Sequence, residues 1–140
     1  MLERNQKAFG IGGIVVALAL ASGVASADGK VTLSGGEEVP AVTTRATGTG
    51  SIAIKDDKSV TGSVTTKDVV GVAAHIHLAP VGKNGPPVIT LTKKSDNEWS
   101  VPEGSKLTDE QYAAYKAGNL YVNVHSAANK GGEIRAQLKP

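Results

Sequence analysis

Between Val31 and Leu138 the chain is cut into short runs of alternating apolar and polar residues, separated by clusters of Gly, Pro, Asn and Asp. Successive side chains on a strand point to opposite faces, so such runs read as half-buried strands. Turn signals at this density leave little room for anything but a sandwich or barrel. The runs are "KVTLS", "GTGSIAIK", "SVTGSVTT", "VVGVAAHIHLAP", "VITLTK", "DNEWSVP", "LYVNVHS" and "EIRAQLK". They predict an all-β chain, a Greek-key β-sandwich or barrel of about seven or eight antiparallel strands. One stretch, "LTDEQYAAYKAG", has a different pattern. Thr108 and Gln111 have capping-box spacing, Asp109 and Glu110 suit a first turn, and Gly118 suits a C-terminal cap. A short helix near residues 109–117 is expected, covering the sheets.

The first residues have another character. "MLERNQK" is basic, "AFGIGGIVVALALASGV" is apolar and uncharged, and "ASA" precedes Asp28. That is the layout of a secretory signal peptide. Cleavage after Ala27 is expected, leaving residues 28–140 as one exported domain, periplasmic or extracellular; the alternative is retention of the segment as an anchor. Without Arg4, Lys7 and Glu3 the mature chain is nearly neutral. It has no electrostatic footprint for nucleic acid or for an anionic membrane. The chain has no cysteine, so an exported domain of this size is held by packing, without disulfides. Thiolate metal sites are excluded.

Three histidines remain, His75 and His77 in "AHIHLAP" and His125 in "LYVNVHS". Strand parity places Val70, Val72, Ala74, Ile76 and Leu78 on one apolar face, which should be core. Leu120, Val122 and Val124 form the equivalent face of the later strand, and Ile134 and Leu138 join the core from the last. His75 and His77 then share the outer face of one strand, and Tyr121, Asn123 and His125 share that of another. Cα atoms two apart on a strand are about 6.5–7 Å apart. Two such imidazoles can lean toward one ion at metal–nitrogen bonds of about 2.0–2.1 Å, and a third would complete the set. The competing reading is polar surface, with imidazoles bonded to loop carbonyls. The paired acidic residues at 56–57 and 95–98 read as turns, and no nucleophile–base arrangement is indicated by spacing.

The blocks "LSGGEEVPAV", "AHIHLAPVGKNGPPV" and "LTDEQYAAYKAGNLYVNVHSAANKGGEIRAQL" resemble, in order and spacing, the chordin-type (CHRD) domain. The resemblance runs from about Val31 to Leu138 and implies an exported β-sandwich module, of a kind found also in an animal growth-factor-binding protein. More distantly, "AHIH" and "YVNVH" are similar to the copper-ligand strands of copper/zinc superoxide dismutases. That likeness implies His75, His77 and His125 as copper ligands, with zinc as the alternative ion. It implies Arg135 as an anion-guiding group, while Asn123 is placed to orient a ring or a bound water. The bridging histidine, the zinc cluster and the cysteine pair of those enzymes are missing. Three functions are therefore expected in competition. One is copper sequestration, delivery or slow redox work; another is a protein-binding module at the cell surface with structural histidines; the third is a copper-only dismutase relative.

Overall fold

The computed structural model describes residues 29–140; the leader-like segment and its cleavage site lie outside the described residues. Nine strands and one helix follow in order: β1 (Lys30–Ser34), β2 (Thr47–Ile54), β3 (Val60–Lys67), β4 (Gly71–Leu78), β5 (Pro87–Thr90), β6 (Thr92–Ser95), β7 (Glu98–Ser100), α1 (Asp109–Lys116), β8 (Leu120–Ser126) and β9 (Ile134–Gln137). They form one antiparallel sheet in the order β5-β4-β8-β9-β1-β2-β3-β7-β6. The run "VITLTK", expected as one strand, divides at Leu91. Its first half pairs with β4, where Leu91 N–H still donates to Ala74 C=O at 2.9 Å, and its second half pairs with β7. The two ends of the sheet are thus consecutive pieces of chain, and the sheet curls into a nearly closed barrel. The hand-over explains why the strand count is nine.

The core follows parity along most strands. Leu33, Val60, Val64, Ala74, Ile76, Leu120, Val122, Val124 and Ile134 are almost wholly buried, with Leu138 close behind. Valines and isoleucines suit these positions because their branched side chains pack well on a pleated surface. Parity fails at the start of β4. Val70 and Val72, expected inside, are 64% and 56% exposed. The β4–β8 register shifts between Gly71 and Ala73, a β-bulge. Gly71 takes the inward place because a Cβ there would meet Trp99 Cζ2 at 2.7 Å and Val124 Cγ1 at 2.9 Å. The extra residue turns Val72 outward and then restores Ala74 and Ile76 to the core.

Helix α1 forms where its caps predict. Thr108 Oγ1 accepts from Gln111 N–H at 3.1 Å, and Gln111 Oε1 accepts from Thr108 N–H at 2.9 Å. Leu107 is buried, and Tyr112 and Tyr115 pack partly against the core.

Candidate metal centre

The histidine face of β4 and β8 is turned from the core, yet it is not the open surface that parity alone implies. Tyr121 is 2% exposed, Asn123 and Arg135 1% each, His77 8% and His125 9%. Two loops, 79–86 and 127–133, and the opening segment around Glu38 close over it, as their contacts with these side chains show. The correction matters chemically, because buried polar groups must find partners or carry a cost.

Antiparallel register sets the histidines side by side. Ala73 lies opposite His125, His75 opposite Asn123, and His77 opposite Tyr121. One nitrogen from each of His75, His77 and His125 lies within 4.8 Å of the other two. Ring centroids are 4.9 Å apart for His75 and His125, 5.3 Å for His75 and His77, and 5.8 Å for His77 and His125.

The hydrogen bonds fix the tautomers. His77 Nδ1–H donates to Gly85 C=O at 2.9 Å, and His125 Nδ1–H donates to Lys130 C=O at 2.8 Å. A neutral imidazole with Nδ1–H has its bare lone pair on Nε2. The 3.1 Å contact between His75 Nδ1 and His125 Nε2 then requires the hydrogen to sit on His75. His77 Nε2 is buried and has no partner, and neither has Asn123 Oδ1. Burial holds the His75 pKa below the ordinary imidazole value, helped by the neighbouring His125 and His77. Burial also lowers that of His77, with the His125 and Arg135 charges, against the opposing pull of the Gly85 carbonyl and the nearby Asn123 side chain. Burial thus favours the neutral form of His75 and His77, the form in which imidazole binds metal.

Both supporting loops are tied down. Around His125, Glu133 accepts from Ser126 Oγ at 2.6 Å, Thr44 Oγ1 at 2.7 Å and Asn129 Nδ2 at 3.1 Å. Burial works against the Glu133 charge, but these bonds outweigh it and hold its carboxyl below the usual range. Around His77, the Tyr121 ring stacks at 4.7 Å and is parallel within 1°. Arg135 is placed in the same assembly, but its guanidinium is 1% exposed and donates to Pro80, Lys83 and Asn84 of the loop.

Sequence reasoning missed Glu38. Its carboxyl is buried and pushed up to about 7, burial outweighing the Asn123 hydrogen bond and the Arg135 charge. It lines a cleft of about 230 Å³ with Pro40, Asn84, Asn129 and Gly132. Nothing local in "GGEEVP" signals this burial, and the carboxyl's hydrogen-bond partner, Asn123, lies 85 residues away. Parity makes Tyr121 a face-mate of His125, but its stacking on His77 depends on strand register, which has no local signature in the sequence.

Fold and site together define a small all-β domain with an imidazole triad beneath two loops. The chain belongs to the CHRD-domain family, whose model matches residues 30–138. Comparison with curated proteins and with solved structures returns no match. The family is one of extracellular or secreted modules, and among the described residues no helix is long and apolar enough to cross a membrane.

Proposed function

We propose that this is an exported metal-binding domain that holds copper, with zinc as the competing ion, through His75, His77 and His125. The observation that carries the reading is the buried, unpartnered lone pair of His77 Nε2, close to the ligand atoms of two further imidazoles. A cation satisfies that lone pair, and the tautomers leave His77 Nε2 and His125 Nε2 ready to bind. For His75 to offer Nδ1 to an ion, its hydrogen would sit on Nε2 and the bond to His125 Nε2 would be given up. Three-nitrogen sites with further positions open suit copper and zinc, and divalent copper heads the affinity order. Bound copper would supply tight sequestration or slow one-electron chemistry. The burial of Arg135 removes the anion guide that a dismutase reading needs. Export rests on the leader-like residues 1–27; N-terminal sequencing of protein from its native compartment tests it, with a start at Asp28 expected and a start at Met1 counting against it.

The test is copper titration of residues 28–140, repeated with His77→Ala and His125→Ala. Each substitution should weaken binding at least about tenfold, because one of three ligands is lost. Binding equal to the parent in both variants overturns the reading.

A second reading, a protein-binding module, is favoured by two exposed valines at the start of β4, Val70 just before the strand and Val72 on the bulge. Under it, Val70→Ser and Val72→Ser together abolish partner capture and leave copper binding unchanged.

A further inference from the structure

Arg135 is 1% exposed in the wall of the site, although a guanidinium is among the costliest groups to bury. Its N–H groups go to one segment of chain. Nη2 donates to Lys83 C=O at 2.7 Å and to Pro80 C=O at 3.4 Å, and Nη1 donates to Asn84 Oδ1 at 3.3 Å. Its Cζ lies 3.4 Å from the centroid of the Tyr121 ring. His77 stacks on that same ring at 4.7 Å, and two groups so close to one ring must occupy opposite faces.

The segment that Arg135 grips leads directly into Gly85. Both backbone polar groups of Gly85 are used on the site: N–H donates to Tyr121 Oη at 3.2 Å, and C=O accepts from His77 Nδ1 at 2.9 Å. A side chain at Gly85 would collide with Leu78 C=O, so the loop lies directly on the end of β4. The stacking partner of the His77 ring and the loop that carries its hydrogen-bond acceptor are therefore both held by one cation on β9, with Gln137 Nε2 adding a bond to Ala79 C=O at the start of the loop. β9 lies two positions along the sheet from β4, with β8 between them.

We propose that Arg135 is a positioning residue that clamps loop 79–86 and Tyr121 around His77 and so fixes the Nδ1–H tautomer of that ring, and that it is not an anion-binding group. Its bearing on metal rests on the triad reading above, but the clamp itself exists without metal. The planar fork is what the geometry uses: three acceptors on one loop plus a flat face on tyrosine. Lysine offers one compact ammonium and no flat face, so Arg135→Lys keeps the charge and loses the clamp. Arg135→Met keeps much of the stem and loses both.

The experiment reads ring-nitrogen resonances of 15N-labelled, metal-free protein at about pH 8, above the ordinary imidazole range. In the parent, His77 and His125 both give the Nδ1–H pattern. In Arg135→Lys and Arg135→Met, His77 should become a tautomer mixture, while His125, held by the other loop, keeps its pattern and reports that the barrel is intact. Tyr121→Phe, which keeps the stacked ring and loses only the bond to Gly85 N–H, should shift His77 the same way by less. It serves if Arg135→Met does not fold. Copper affinity should fall by about tenfold or more in Arg135→Lys, the usual effect of removing support behind a metal ligand. An unchanged His77 pattern in folded Arg135→Lys overturns the proposal. So does a shift of the Arg135 Nε–H resonance on adding azide to the parent, since a clamped guanidinium offers small anions no open face. If the parent binds no copper yet the tautomer result holds, the metal reading fails and the clamp stands.

Discussion

Replacing Glu38 with Gln should stabilise the domain, and by an amount that depends on pH in a defined way. The carboxyl is raised from 4.5 to about 7 in the folded chain, with burial as the chief cause. A folded value above the unfolded one means that the native state holds the proton more tightly, so its contribution to stability is complete below about 4.5 and is lost as pH rises through 7. The gap between those values, at about 1.4 kcal/mol for each pH unit, comes to about 3 kcal/mol lost by neutral pH. Glutamine keeps the shape, still accepts from Asn123 Nδ2, and carries no charge at any pH. Its own N–H group can also serve Asn123 Oδ1, which has no partner. Urea unfolding of parent and Glu38→Gln between about pH 4.5 and 8 should therefore give near-equal stability at the acid end and a difference growing to about 2–3 kcal/mol at the alkaline end. His75 and His77 contribute the opposite slope, because their lowered values favour the native state above the ordinary imidazole pKa. They are common to both proteins and cancel in the comparison. A difference that stays flat with pH, or a variant less stable than the parent at about pH 8, refutes the assignment of a charge-averse site at Glu38.

Three further outcomes follow from the geometry. Ile76→Ala, at a fully buried position, should cost about 2–5 kcal/mol in urea unfolding, whereas Val72→Ala on the exposed bulge should stay within about 0.5 kcal/mol. Copper affinity measured by competition should hold as pH falls to about 6.5 and decline only below it, since burial lets protons compete with metal at His75 and His77 only at lower pH. Gly132→Ala should destabilise by at least about 1 kcal/mol, because φ is +124° and the new Cβ would meet the Glu38 carboxylate and Asn123 Nδ2.

Most of the barrel was legible because its strands follow a period of two and its helix carries both halves of a capping box. Parity also placed Tyr121, Asn123 and His125 on one face and His75 and His77 on one face, which is most of the candidate site. It failed at Val70 and Val72, where a bulge adds one residue. The cause is a glycine inserted between Trp99 and Val124, and contacts of that separation leave no local trace. Nor could parity say that the histidine face is covered. Whether a non-core face is open depends on where loops fold back, and here that was decided by Arg135 and Glu133, residues that read locally as ordinary charges near the end of the chain. The same gap accounts for Arg135 itself. The dismutase likeness implied a group facing incoming anions, and the fold spends that group on loop carbonyls.

The division of one run of chain between β4 and β7 has a consequence for how this domain can meet other proteins. A free sheet edge is a row of unpaired N–H and C=O groups that invites another strand. Here the exposed margins shrink to two four-residue pieces, β5 and β6. The first opens with Pro87, which has no N–H to give, and the second carries the exposed Lys93 and Lys94. Both are features that discourage strand addition. A population of these domains should therefore stay apart even when crowded, without runaway stacking edge to edge. Any protein that recognises one through the described residues must read side chains and loops, because their sheet leaves little backbone on offer.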